Sequence, residues 1–397
     1  MTSDKKRTLI PVGPYHPLQE EPEHFLLYVE GEKVVEIDWK TGYNHRGIEK
    51  LAEGMSYDQV TFLVERVCGI CSTSHPIAYT NAVEDLCGID IPDRAKYIKS
   101  IVGELERLHS HLLWLGLAGH YIGYDTVWMW AWKYREPVLE IMEAVTGNRN
   151  NYAMMKPGGI RRDIDDGDIP IIMKMVDELK PQLDLLLGAV QDDPMIHKRT
   201  KGVGILTPED ARAYGAIGPT ARASGVDVDV RRDHPYAAYD LVDWDVIVTQ
   251  NCDVFDRAAV RILEMYEAIK IIKQCLERLK KVKGPIDADI KEVPPGHGLG
   301  HAEAPRGEVF HYVRSDGTNR PYRHKIRAPS YCNVPTFKVT CIGESVADAT
   351  LILAAVDPCY CCTERMAVVD VDSGRKTLGP SDLVRLSREK TARLRRG

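Results

Sequence analysis

Between Pro92 and His120 the apolar residues Ile98, Ile101, Leu105, Leu108, Leu112 and Leu115 recur at steps of three and four. That spacing keeps one stripe of a helix apolar, so the pattern predicts a long helix with a buried face and Asp93 as its N-cap. A second helix is predicted over Val127 to Val145, stopped by Gly147, and a third from Asp168 to about Val190. Residues 252–282 repeat the pattern, with Val254, Ala258, Ile262, Met265, Ile269 and Ile272 along one face.

Strand signals sit at two places. From His24 to Trp39 two β-rich runs flank Glu-Gly-Glu-Lys, which reads as a hairpin. The stretch 284–335 is rich in glycine and proline, as in Pro294-Pro295-Gly296-His297-Gly298-Leu299-Gly300, and predicts strands and loops, a second lobe or an inserted region. With no internal repeat or low-complexity tract, the expected fold class is α+β and predominantly helical. It has a long-helix bundle core, a small amino-terminal antiparallel sheet and a Gly/Pro-rich peripheral β region.

The chain of 397 residues is 44% hydrophobic and 28% charged, which excludes intrinsic disorder. Its net charge of -6 gives no electrostatic drive towards nucleic acid, and no such partner is expected. The amino terminus lacks the unbroken apolar run of a secretory signal. The most apolar stretch, Leu112 to Trp132, is interrupted by His120 and Asp125, so no membrane span is expected. Ten cysteines are too sparse for a disulfide scaffold, and their uneven grouping points to metal or redox chemistry.

Cys68 and Cys71 lie in Arg66-Val-Cys-Gly-Ile-Cys-Ser-Thr-Ser-His75, and Cys359 and Cys362 in Asp357-Pro-Cys-Tyr-Cys-Cys-Thr-Glu-Arg365. Two C-x-x-C units can turn four thiolates towards one soft metal. The 287 residues between Cys71 and Cys359 exceed the spacing of a compact zinc ribbon. The plainer reading keeps one pair as a zinc or redox motif and treats the other as core cysteine.

These motifs, R-x-C-G-I-C-x-x-x-H and D-P-C-x-x-C, resemble those of the large, catalytic subunit of nickel-iron hydrogenases. Gly42-Tyr-Asn-His-Arg-Gly-Ile-Glu49, Gly119-His-Tyr-Ile-Gly-Tyr-Asp125 and Glu303-Ala-Pro-Arg-Gly-Glu308 resemble further segments of that family. Thr363-Glu-Arg365 is similar to the energy-converting, membrane-bound branch (group 4), related to the 49-kDa subunit of complex I. Gly13-Pro-Tyr-His-Pro17 resembles a segment of that subunit. The resemblance implies reversible reduction of protons to H2 at a nickel-iron centre whose iron carries CO and CN ligands. Cys68 and Cys359 would be terminal nickel ligands, with Cys71 and Cys362 bridging the metals. It further implies Cys359 sulfur as the base, exchanging its proton with Glu49, and Arg306 overhanging the centre. Around them it sets Asp125 near that arginine, Ser330 at a cyanide ligand, and His75 hydrogen-bonded to a bridging sulfur. Without the resemblance, Glu49 reads as a solvated acid at a helix start and Arg306 as a surface arginine at a turn. The remaining histidines, His311 among them, receive no metal role, and the other six cysteines read as small apolar residues.

The resemblance also divides the chain into a catalytic domain, residues 1–365, and an extension, residues 366–397, removed by a maturation protease cutting after Arg365. That extension holds eight Lys or Arg against four Asp or Glu, and the alternative is a permanent basic helix over Ser381–Arg396 that docks a partner or an anionic membrane. No iron-sulfur cluster is expected in this chain, so electrons would come through a small iron-sulfur subunit. Further iron-sulfur and integral membrane subunits would follow, with ferredoxin, carbon monoxide or formate as the indirect source, and ion translocation as the coupled process. The expected location is peripheral, at the cytoplasmic face of the cell membrane. The competing reading is a complex I-like subunit reducing a quinone or a sulfur compound.

Overall fold

The computed structural model describes residues 7–17, 19–363 and 380–395. Strands β1 (Thr8–Val12), β2 (His24–Glu30) and β3 (Lys33–Lys40) form an antiparallel sheet in that order. The expected hairpin is β2–β3, and β1 is an addition to it. Phe25, Leu27 and Val29 alternate inwards along β2, the period-two signature of a sheet with one covered face. The predicted processing site at Arg365 lies outside the described residues, and a helix covers Pro380–Leu394.

Seven helices position the centre of the molecule. They are α1 (Tyr57–Glu65), α2 (Ser74–Cys87), α3 (Asp93–Tyr121), α4 (Asp125–Thr146), α5 (Ile169–Asp192), α6 (Val254–Leu279) and α7 (Val346–Ala355). The four long helices expected from periodicity are α3 to α6, and Gly147 closes α4 in the left-handed conformation, φ 84°. Asp93 is the first helical residue and Pro92 the cap. Proline fits there because its fixed φ and missing N–H cost a helix nothing at its very start. Helices α1 and α2 gave no long periodic signal because they are short and buried. The capping box of Ser56 and Gln59 is the local mark that opens α1.

Helix α3 packs against both α4 and α6, and its polar face is buried as well as its apolar one. Lys99, Glu104, Glu106, Arg107, His109 and His111 are all at most 1% exposed. Charges in such a place persist only when paired or hydrogen-bonded, and Glu106 is held by the Thr73 and Ser74 amides. Glu104 meets Arg107 and Arg231 at 3.0 Å, Lys99 meets Glu84 at 2.9 Å, and Glu264 holds His111 at 2.9 Å and Arg222 at 2.7 Å. One amphipathic stripe in the sequence thus became a helix enclosed on all sides.

The glycine-rich region forms a second three-stranded antiparallel sheet, β4 (Gly296–Ala304), β5 (Gly307–Ser315) and β6 (Pro321–Arg327). Its β4–β5 hairpin, read from the sequence as a peripheral region, reaches the middle of the molecule because α2 lies directly on β4. A Cβ at Gly298 would stand 2.0 Å from the Ala82 carbonyl oxygen, and one at Gly300 2.1 Å from that of Ala78. Only glycine permits this approach of backbone to backbone. Gly300→Val is expected to lower stability by about 2–3 kcal/mol, measured as a fall in the thermal unfolding midpoint.

Candidate metal centre

Cys68 and Cys71 occupy the turn between α1 and α2. The amides of Ile70 and Cys71 point at the Cys68 sulfur, at 3.4 and 3.2 Å, and donation from amides favours a thiolate. The buried carboxylate of Glu106, on α3, fixes this turn by accepting from the amides of Thr73 and Ser74 and the Ser74 hydroxyl. In this way the exposed donors at the start of α2 are satisfied by a side chain of the central helix. Arg46 ties the two cysteine segments together, donating to the carbonyls of Val67 at 2.9 Å and Cys361 at 3.4 Å.

Cys359 and Cys362 follow α7, after Asp357 in a left-handed conformation, φ 57°. Across a separation of 291 positions, Cys359 sulfur comes to 3.2 Å from that of Cys68, and it lies 3.0 Å from that of Cys362. The sulfurs of Cys68, Cys359 and Cys362 all lie within 4.8 Å of one another, and Cys71 hydrogen-bonds to Cys68. Donation from the neighbouring thiols pulls the Cys68 thiol well below its usual range. Burial pushes the Cys362 thiol well up. The cluster therefore tolerates one negative charge easily and further charges only with a cation among them. Cys68, Cys71 and Cys359 are buried, Cys362 is half-buried, and none is joined by a disulfide; such thiols are the donor set a soft divalent metal prefers, so the residues present fit a nickel-centred group.

Arg306 occupies the two-residue turn between β4 and β5 and is 1% exposed. Its Nη1 lies 3.6 Å from Cys71 sulfur and 3.3 Å from the Ser110 hydroxyl. Its Nη2 pairs with Asp357 Oδ1 at 2.6 Å, and its Nε donates to the Asp357 carbonyl at 2.8 Å. The turn closes against Gly218, where a Cβ would stand 2.4 Å from Gly307 Cα; both glycines have positive φ. His75 is buried with Nε2 3.6 Å from Cys362 sulfur. Ser330 accepts the Cys359 amide at 2.9 Å, which leaves its hydroxyl hydrogen to donate elsewhere.

Two expected residues stand apart from this group. Asp125, at the start of α4, is 64% exposed in its side chain and bonds to His120 at 2.7 Å. The carboxylate beside Arg306 is that of Asp357, buried with it, where a guanidinium requires a counter-charge. Glu49 is taken by Lys325 at 2.5 Å and by the Ile326 amide at 2.9 Å. The carboxylate on Cys359 is that of Glu21, from the β1–β2 connection, 3.5 Å from the sulfur and 2.6 Å from the Cys361 amide. Burial raises Glu21 above the usual carboxylate range and lifts its neighbour Glu20 to about 8. Sequence reasoning passed over Glu21 because Gln-Glu-Glu-Pro-Glu reads as a solvated loop, and Asp357 because it was read only as part of a motif. Among the other cysteines, Cys252, Cys275 and Cys341 are buried and Cys87, Cys332 and Cys361 half-buried.

Arg306→Met leaves the Asp357 charge buried with, among the described residues, Arg261 as the remaining cation partner, 3.9 Å away, and is expected to cost about 3–5 kcal/mol in denaturant unfolding. Adding Asp357→Asn should recover most of that loss.

The chain matches the family described as respiratory-chain NADH dehydrogenase, 49 Kd subunit, over residues 121–293 and 287–365, and the nickel-dependent hydrogenase family over residues 46–117. It is 42% identical to formate hydrogenlyase subunit 5 of Escherichia coli (strain K12), over 98% of this chain and 68% of that one. It is 41% identical to the membrane-bound hydrogenase subunit alpha of Pyrococcus furiosus, over 96% and 93% respectively. Among solved structures, a chain of the membrane-bound sulfane sulfur reductase, an archaeal respiratory membrane complex, superposes with a TM-score of 0.86 at 31% identity. That match covers 92% of this chain and 100% of the other.

Proposed function

Since the chain belongs to the family of membrane-bound hydrogenase large subunits, which is related to the 49-kDa subunit of complex I, we propose that its four-cysteine cluster holds the nickel-iron centre of a hydrogenase. The protein is a hydrogenase catalytic subunit, and the reaction is 2 H⁺ + 2 e⁻ ⇌ H2. The observation that carries the site assignment is the convergence of Cys68, Cys359 and Cys362 to within 4.8 Å.

When bound, nickel and iron, the latter with CO and CN ligands, supply the redox chemistry. Cys68, Cys71, Cys359 and Cys362 would be the residues that hold them. Arg306 holds a permanent positive charge against the cluster, aimed by Asp357, both of them buried where fixed charges act most strongly. Glu21 exchanges a proton with the Cys359 sulfur, a task suited to a carboxyl whose affinity for protons is raised by burial. Ser330 orients Cys359 through its amide, and its remaining hydrogen would be free to donate to a ligand of the iron. Both ends of the chain are needed for the cluster, so residues 1–365 act as one catalytic domain, and the extension after Arg365 is removed once the metals are in.

The relatives are subunits of membrane complexes, and no described helix is long and apolar enough to cross a membrane; the chain is a peripheral subunit of such a complex. Its electrons come from a small iron-sulfur subunit, fed through further iron-sulfur subunits by ferredoxin, carbon monoxide or formate. Integral membrane subunits hold it at the cytoplasmic face and couple the reaction to ion translocation. A quinone- or sulfur-reducing role shares the fold but makes no use of three convergent thiols with Cys71 beside Cys68.

Glu21→Gln in the assembled complex is expected to lower H2 evolution at least 100-fold with nickel retained, whereas Glu49→Gln lowers it less than about tenfold. The reverse order, read by gas chromatography with a soluble reductant, would move the proton-transfer role to Glu49.

A further inference from the structure

Three buried histidines run in single file away from the cysteine cluster. His75, at the start of α2, faces Cys362 sulfur with Nε2 at 3.6 Å. Its Nδ1 lies 3.1 Å from Nε2 of His311 on β5. His311 Nδ1 in turn lies 3.0 Å from Nε2 of His324 on β6. All three are at most 1% exposed. Tyr79, one turn beyond His75, stacks edge-on against His311 and His324, and its hydroxyl is committed to the Tyr57 carbonyl.

All three rings are buried, where desolvation disfavours the charged form, and it pushes His324 down to about 3. A neutral imidazole has one N–H and one lone pair, so the file has two self-consistent alignments. Either every ring carries its hydrogen on Nε2 and the bonds point towards Cys362, or every ring carries it on Nδ1 and they point away. The two ends of the file choose between them independently. At the near end a ligand thiolate accepts and cannot donate, so His75 must present Nε2–H. At the far end His324 Nδ1 is buried without a hydrogen-bond partner among the described residues, and an orphaned N–H is rarer in folded proteins than an orphaned acceptor. Both ends therefore select the alignment towards the sulfur.

We infer that His311 and His324 are positioning residues for the metal centre. They lock His75 in its Nε2–H form, and the N–H that His311 donates into His75 Nδ1 makes His75 the stronger donor to Cys362. The inference rests on Cys362 binding metal, as proposed above. A hydrogen bond on a bridging thiolate withdraws charge from the metals, so two residues remote from the cluster would set its electron density.

The test is infrared spectroscopy of the intact complex, with nickel and iron assayed on the same samples. His75→Leu should shift the CO and CN stretches to lower wavenumber, because a thiolate without its donor makes iron more electron-rich. His311→Leu should shift them in the same direction by less, and His311→Gln, whose amide can still donate, should return them to wild-type positions. Unmoved bands in His311→Leu with both metals in place overturn the inference and leave the metal centre standing. So does His311→Gln displaced as far as His311→Leu. A wild-type complex without nickel overturns the reading on which both rest. If His311→Leu does not assemble, ring-nitrogen NMR of ¹⁵N-histidine-labelled wild-type complex decides: Nε2–H on all three rings supports the file, and Nδ1–H on any of them refutes it.

Discussion

Thiol sulfurs gathered within 4.8 Å of one another inside the molecule are the constraint on which the rest of this structure depends. Their separation along the chain is the smaller difficulty, since loop-closure entropy grows only by about 0.6 kcal/mol per doubling of length. The larger one is charge: burial and mutual repulsion oppose a second and third thiolate, and only a cation among them removes that opposition. The surroundings prepare for this with a buried Arg306–Asp357 pair on one side and amide donors to Cys68 on another.

Holding that arrangement requires backbone contacts closer than side chains allow. The pairs Gly298/Ala82 and Gly300/Ala78 bring β4 onto α2, and Gly218/Gly307 does the same at the hairpin tip. These contacts carry Arg306 and His311 from a glycine-rich surface pattern into the interior. Glu106 and Arg46 perform the complementary task for the cysteine turns, satisfying amides and carbonyls that would otherwise be stranded without water. Positioning at this centre is thus mostly backbone chemistry, with few side chains touching sulfur.

What the sequence made legible was what repeats at short range. The helices α3 to α6 follow from three-and-four periodicity, and each C-x-x-C pair announces its own convergence. Family resemblance then joined the two pairs and brought Arg306, Ser330 and His75 to one place. Glu21, Asp357 and the file His75–His311–His324 were illegible locally, because each acquires its meaning from a partner tens or hundreds of positions away. Asp125 shows the converse: a carboxylate in a suggestive segment, set by its helix start towards solvent, while the buried guanidinium took its counter-charge from the cysteine motif itself. The buried polar face of α3 was equally hidden, since periodicity shows where apolar residues lie but not that the opposite face will find ionic partners.

The most direct test of the central claim is metal analysis joined to infrared spectroscopy on the complex purified without oxygen. The account predicts nickel and iron in equal amounts, one of each per chain, together with CO and CN stretching bands. Zinc alone, or no transition metal in a fully assembled and processed complex, would contradict it and leave a fold that brings cysteines from both motifs together without hydrogen chemistry.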